Sequence, residues 1–295
     1  MIPEFLKKKL DYQYGTELTS KILEGYKKSR VVSLRINSIK TNKEEIINIL
    51  NKNNITYEEV SWYNNALVIV NKKEEDLKKL DIYKEGKIYL QSLSSQLPPL
   101  FLEPKENELI LDMTAAPGGK TTEIAALSDN KAMITAIEKN KIRSDRLQYN
   151  IEKQGAIKVT VLNTDARSLN EYFMFDKILL DAPCSGSGTI TNNNFDRFNE
   201  ELVNRSVKFQ KTLIKEALKH LKVDGELIYS TCSILNEENE SIIKEILNEN
   251  LVLIPLNLTN YQDIPKLTSK IPGTLTVMPT NYYEGFFVAK IKKVK

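Results

Sequence analysis

Residues 109–140 read LILDMTAAPGGKTTEIAALSDNKAMITAIEKN. An apolar run ends on Asp112, a glycine-rich loop follows, and a helical stretch leads to a second apolar run that ends on Glu138. This is a strand–loop–helix–strand unit. The alternation continues along the chain. Strands are predicted at LILDM (109–113), AMITAIE (132–138), VTVLN (159–163), KILLD (177–181) and ELIYS (226–230), with helices at about 119–127, 140–154, 200–222 and 237–249. Continuous apolar strands separated by helices predict a parallel sheet covered on both faces, an α/β fold of the doubly wound, Rossmann-like class. The end of the chain, TLTVMPTNYYEGFFVAKIK, predicts two strands around a Pro/Asn turn, a terminal antiparallel hairpin.

The first 90 residues have a different style. Residues 1–30 read as short helices and VVSLRIN (31–37) as a strand. TNKEEIINILNKN follows as a helix, with Thr41 as its N-cap and Glu44 closing a capping box. ALVIV (66–70) is another strand. The chain thus divides into a helical and small α/β module over 1–90 and a doubly wound domain over 91–295, joined without a flexible linker.

Composition narrows the function classes. No run of roughly 18 apolar residues exists, and MIPEFLKKKL does not read as a signal peptide, so a cytoplasmic, monomeric protein without a membrane partner is expected. One His and two Cys cannot supply the four ligands of a structural zinc, and no metal is expected. Net charge is only +3, but residues 1–40 hold nine Lys/Arg against four acids. That excess of five, built from Lys7, Lys8, Lys9, Lys21, Lys27, Lys28, Arg30, Arg35 and Lys40, is a weak nucleic-acid footprint, and a solvated helix face looks the same.

Ligands of open α/β sheets bind beyond the carboxyl ends of the strands. Five such ends here carry polar or reactive groups: Asp112 with its glycine loop, Glu138, Asp165, Asp181 with Cys184, and Thr231 with Cys232. Cys184 and Cys232 are the chain's two cysteines. A buried thiol is ordinarily just a small hydrophobe, but here the flanking residues argue for chemistry.

The loop TAAPGGKT ends like a phosphate-binding loop, so a nucleotide hydrolase is one candidate. Thr114 stands where that motif needs glycine, and Pro117 removes an N–H from the cradle. The loop fits S-adenosylmethionine better. Gly118 and Gly119 allow close backbone approach. Glu138, 20 residues beyond Gly118, stands where a ribose acceptor belongs, and Asp165 can accept from the adenine amine.

The segments SLRINSIK, QSLSSQ, LDMTAAPGGKTT, AIEKNKIRSDRL, TDAR, LLDAPCSGSGT, YSTCSILNEENE and GFFVAKI, in this order, resemble the RNA cytosine-5 methyltransferases of the Sun/Fmu (RsmB/Nop) family. The resemblance runs from about residue 31 to the C-terminus. Thr114 replaces a cysteine usual in the family, and Thr280 a histidine that often follows the proline of the hairpin. The resemblance implies a class I methyltransferase sheet and transfer of a methyl group from S-adenosylmethionine to carbon 5 of a cytosine in tRNA or rRNA. The implied cofactor residues are Ala115, Ala116, Pro117, Gly118, Gly119, Lys120, Glu138, Arg143, Asp165 and Asp181.

Cytosine carbon 5 is a poor nucleophile, so a thiolate must first add to carbon 6. Chemistry alone does not say which thiol attacks. The resemblance assigns attack to Cys232 and product release to Cys184, with Asp181 at ring nitrogen 3 and Lys120 holding Asp181. The target base must leave its stack, and Pro183 with the Ser185–Gly188 turn is expected to wall its pocket. Glu237, Glu238 and Glu240 read as ordinary helix-start acids. A non-catalytic RNA-binding factor on the same fold is the remaining alternative.

Overall fold

The polypeptide, seen in a computed structural model, is described over residues 2–191, 195 and 198–295. Helix α1 (Glu4–Lys27) is two helical stretches broken at Gly15, whose φ of +78° falls where glycine carries no Cβ penalty. Strand β1 (Val32–Ile36), helix α2 (Lys43–Lys52), strands β2 (Tyr57–Glu59) and β3 (Ala66–Ile69), short helices α3 (Glu74–Lys79) and α4 (Asp81–Lys84) and strand β4 (Ile88–Leu90) follow. The strands form an antiparallel sheet in the order β2-β3-β1-β4. Leu34, Ile36, Ile46, Leu50, Leu67 and Ile69 fill its core. The cap of α2 lies one residue later than the sequence suggested. Asn42, not Thr41, accepts from the Glu45 N–H, while the Thr41 hydroxyl reaches the Glu45 carboxylate at 2.7 Å. Asparagine caps as well as threonine does, and the acid three residues beyond Asn42 completes the turn.

After helix α5 (Leu97–Leu102) come strand β5 (Leu109–Asp112), helix α6 (Gly119–Leu127), strand β6 (Met133–Ile137), helix α7 (Lys141–Gln154), strands β7 (Val159–Leu162) and β8 (Phe175–Asp181), helix α8 (Glu200–Lys219), strand β9 (Leu221–Thr231) and helix α9 (Glu240–Ile246). Strands β10 (Leu251–Ile254), β11 (Lys266–Leu267), β12 (Leu275–Val277) and β13 (Phe286–Lys293) close the chain. The sheet runs β11-β12-β13-β9-β8-β5-β6-β7, with β10 on the far end of β13. From β7 to β9 all pairs are parallel, and β13 joins β9 and β12 antiparallel. The doubly wound class and the terminal hairpin are therefore as expected.

Side chains of β8 alternate between two cores, as a strand covered on both faces requires. Leu179 packs with Leu97, Phe101, Ile124 and Leu147 on one side. Ile178 and Leu180 pack with Leu213, Ile214, Tyr229 and Phe287 on the other. Chain order reverses at β5, between β6 and β8, which opens the crevice beyond their carboxyl ends.

Two contacts fix the N-terminal part against this crevice. Helix α1 lies on the loops after β8 and β9, where Leu6, Leu10, Ile22 and Tyr26 pack against Ile190, Ile234 and Leu235. Tyr14 donates to the Ile234 carbonyl and Tyr26 to the Ser187 carbonyl, both at 2.6 Å. The small sheet is locked by Arg35, which is wholly buried. Its guanidinium bonds Gln91, Thr122 and the Gly119 carbonyl and lies 3.9 Å from the buried Glu123 carboxylate.

Burial pushes Glu123 up to about 8 against the pull of Arg35. The ordinary value is 4.5, so between about 4.5 and about 8 the native state holds a proton that the unfolded chain releases. Stability should therefore fall as pH rises through this window, by about 1.4 kcal/mol per pH unit at most. Glu123→Gln should flatten that slope in urea titrations run from pH 5 to 9. An unchanged slope would show that Glu123 is ionised throughout.

Candidate active site

The glycine loop is built from backbone anchors. The Ala115 N–H bonds the Ile137 carbonyl, and Gly118 N–H bonds Ala115. Gly118 sits at φ +107°, and a Cβ there would press on Leu147 of α7. Arg143 donates to the Ala116 carbonyl at 2.9 Å and stands 3.3 Å from the Glu138 carboxylate. It thus ties the loop to the acid that ends β6. Thr114 donates to the Asp181 carbonyl at 2.8 Å, bridging the ends of β5 and β8.

Lys120 points away from any phosphate cradle. Its ammonium bonds Asp181 at 2.6 Å and Ser95 at 2.8 Å. Burial works against its charge, but the charge of Asp181 and the bond to it outweigh this and raise its pKa. Thr121, the other polar residue of the GKT stretch, is buried on Asp112 at 2.7 Å. Both groups that a phosphate loop needs are committed inside the protein, which removes the physical basis of the hydrolase reading. Burial in turn pushes the Asp112 carboxyl up to about 6.

Asp181 is gripped on both oxygens, by Lys120 on one and by the Ser230 hydroxyl at 2.7 Å on the other. Beyond it the two thiols face each other with sulfurs 2.8 Å apart. The bond to Cys232, then burial, then the charges at Cys232 and Glu238 push the Cys184 thiol well above the ordinary cysteine range.

The loops carrying the thiols are cross-braced by Glu238, a wholly buried carboxylate. It accepts from the Ser185 N–H and hydroxyl, the Ser233 hydroxyl and the Gln210 amide, at 2.5–3.1 Å. Glu238 thus lies inside the site rather than acting as a helix-start acid: α9 begins at Glu240, and Glu238 satisfies donors from three segments. Gly188 and Gly285 cross so closely that a methyl group on Gly188 would land on the Gly285 carbonyl. The Gly188 N–H also holds the Cys232 carbonyl at 2.9 Å.

Two cavities meet at this point. One, of about 340 Å³, is walled by Met113, Ile137, Ala166 and Leu213 and rimmed by Glu138 and Asp165. Phe209 of α8 borders it as well, 5.1 Å from the Lys139 ammonium and 5.3 Å from the Arg167 guanidinium; nothing in its local sequence marked it. The other, of about 600 Å³, opens between β4 and the glycine loop and is lined by Arg30, Ser92, Lys120 and Glu284. Thr114, Ala116, Asp181 and Cys232 border both.

Glu138 and Asp165 both have local partners. Glu138 accepts from the Asn140 N–H, and Asp165 caps its own turn and bonds Arg167, whose hydrogen bond lowers its pKa to about 2. Each carboxylate still has acceptor sites facing the smaller cavity. An apolar slot with carboxylates at one rim and a polar loop at the other fits an adenosyl group. Pro183 borders this cavity, whereas the Ser185–Gly188 turn lines neither. Among the described residues no cluster of His, Cys, Asp and Glu could hold a metal, and no helix is long and apolar enough to cross a membrane.

The comparisons agree with this geometry. Residues 99–292 match the model of the 16S rRNA methyltransferase RsmB/F family, and residues 2–74 match its ferredoxin-like domain. Ribosomal RNA small subunit methyltransferase F of Shewanella piezotolerans is 36% identical over 274 residues, covering 89% of this chain and 57% of that protein. The 25S rRNA (cytosine-C(5))-methyltransferase nop2 of Schizosaccharomyces pombe is 32% identical, covering 98% of this chain and 50% of that one. The chain thus spans about half the length of the curated relatives it matches. A methyltransferase homologue from Pyrococcus horikoshii superposes with a TM-score of 0.84 at 29% identity, covering 99% of this chain and 100% of that one. NSun6 from the same organism gives 0.89 at 24% identity, covering 100% and 99%, and shares the fold. The chain belongs to the RsmB/F methyltransferase family.

Proposed function

We propose that the protein transfers a methyl group from S-adenosylmethionine to carbon 5 of a cytosine in RNA, through a covalent bond between Cys232 and carbon 6. The observation that carries this is the meeting of two cavities at Cys232 and Asp181. The smaller cavity suits the cofactor, with Glu138 on the ribose, Asp165 at the adenine amine and Phe209 along the ring. When bound, the cofactor supplies an electrophilic methyl group. The larger cavity then takes the unstacked base.

The thiols are unequal because their surroundings are. The bond to Cys232, burial and then the charges at Cys232 and Glu238 hold the Cys184 thiol well above the ordinary range, whereas Cys232, whose charge interacts with the Lys120 ammonium, is the sulfur that attacks in this reading. The Cys232 sulfur adds to carbon 6 as ring nitrogen 3 takes up a proton from solvent, and the resulting N–H donates to Asp181, which Lys120 and Ser230 orient. Carbon 5 becomes enamine-like and takes the methyl group. Solvent takes that carbon's proton, the 5,6 double bond re-forms as the Cys232 sulfur leaves, and nitrogen 3 returns its proton to solvent. The Cys184 thiol serves this release by donating its proton to the departing sulfur and regaining one from solvent.

Residues 1–90 act as the RNA-binding part in this reading. The sheet walls the larger cavity and α1 braces the loops of the thiols. The named rRNA relatives favour ribosomal RNA over tRNA.

Cys232→Ser should bind RNA and cofactor yet form neither adduct nor product, because a serine hydroxyl is too weakly ionised to add to the ring. Cys184→Ser should accumulate a protein–RNA complex that survives denaturing electrophoresis. Adding Cys232→Ser to that variant should abolish the complex. The reverse pattern would make Cys184 the nucleophile.

Calorimetry tests the cofactor assignment. Glu138→Ala should weaken S-adenosylmethionine binding by about 1–3 kcal/mol. Unchanged affinity would sink the ribose role of Glu138.

A further inference from the structure

A second groove adjoins the larger cavity on the side away from the thiols. Its volume is about 580 Å³, and Tyr89, Leu90, Pro117 and Glu74 border both spaces. Helix α7 forms one bank and the segment from α3 to β4 the other. Arg146, Tyr149, Asn150 and Lys153 stand on one face of α7, at the spacing that brings helical side chains together.

Three properties of this groove are unusual for an idle surface. Tyr149 is 60% exposed although it is a large ring on a charged helix. Arg146 is exposed and has no carboxylate within 4 Å among the described residues. Lys153 sits 3.8 Å from the centre of the Tyr83 ring and 5.9 Å from that of Tyr149, with no acid paired to it among the described residues. Burial, and then the like charge of Lys40, weigh against its ammonium. An anion arriving there would relieve that repulsion. The only acid among the lining residues is Glu74, and it already bridges Lys78 at 2.9 Å.

The basic excess of residues 1–40 is, by contrast, largely committed. Lys8 and Lys21 pair along their own helix, and Lys9 pairs with Glu237. Arg35 is buried, and Lys40 donates to the Glu85 and Lys153 carbonyls.

We propose that single-stranded RNA flanking the target cytosine leaves the reaction cavity past Tyr89 and runs along this groove, with Tyr149 stacking on a base and Arg146 and Lys153 holding phosphates. Exposed rings interleaved with unpaired cations suit a strand whose bases are splayed, whatever their sequence. The inference rests on the proposed RNA substrate and deepens it by giving the strand a path.

Equilibrium binding of oligouridine separates this path from the chemistry, since uridine is not the methylated base. The wild-type protein should hold a 20-nucleotide oligouridine with a salt-dependent affinity. Arg146→Glu combined with Lys153→Glu should weaken it at least about tenfold and flatten the log–log salt slope by about 1.4, the loss of two phosphate contacts to a single strand. Tyr149→Ala should weaken it about tenfold, within the range for one stacked base. A 5-nucleotide oligouridine should bind all these proteins alike, and S-adenosylmethionine affinity, read in the same samples, should not change. A wild-type protein that does not hold the 20-mer, variants that hold it as tightly as wild type, or equal losses on both lengths would overturn the groove. Methyl transfer by the wild-type protein to cytosine-containing ribosomal RNA reports separately on the catalytic reading.

Discussion

The bond between Lys120 and Asp181 holds the site together. It joins the first turn of α6 to the end of β8 at the place where both cavities touch. A half-buried ion pair of this kind is weak evidence for stability, since desolvation offsets much of its attraction. Breaking it is another matter, because the charge left behind loses its partner in a place where little water can replace it. Ser95 and Ser230 each add a further bond to the pair, so neither charge has reason to rotate away. A carboxylate fixed on two sides offers one orientation to whatever enters the larger cavity. The glycine loop inherits this order, because Thr114 hangs from the same residue's carbonyl.

Around that pair, the loops of the two thiols are held without regular structure of their own. Glu238 collects donors from Ser185, Ser233 and Gln210, and the Gly188–Gly285 crossing leaves no room for the loops to slide. Helix α1 then closes over them through Tyr14 and Tyr26. A segment that begins the chain thereby stabilises residues that lie far along it. Arg35 does the same for the small sheet, which it anchors to the Gly119 carbonyl and Thr122.

Much of this was legible in the sequence where the signal is periodic or punctuated. The parallel strands appear as apolar runs, three of them ending on acids, and α6 is bounded at Gly119 and Leu127, as expected. Strand ends converge by topology alone, so the sequence already groups Asp112, Glu138, Asp165, Asp181 and Cys232. What escaped depends on contacts across the fold. Glu238 sits just ahead of a helix, where acids are common, and its donors lie 53 and 28 residues away. Phe209 belongs to an amphipathic helix, and nothing in the helical period tells a core ring from one that edges a cavity. Short strands such as β11, with two residues, carry too little pattern to be seen. One cation of the basic N-terminal run is hidden for a related reason: Arg35 lies on a strand, and only the packing of that strand onto α6 reveals that its charge faces inward.

The same reasoning explains why two neighbouring thiols need not be interchangeable. Their sulfurs are 2.8 Å apart, so neither distance nor exposure tells them apart. The asymmetry comes from what surrounds each. The bond to Cys232, burial and then the charges at Cys232 and Glu238 hold the Cys184 thiol high, while the charge at Cys232 interacts with the Lys120 ammonium that orients Asp181. The groups that brace the loops and orient Asp181 are therefore the same groups that distinguish the two sulfurs.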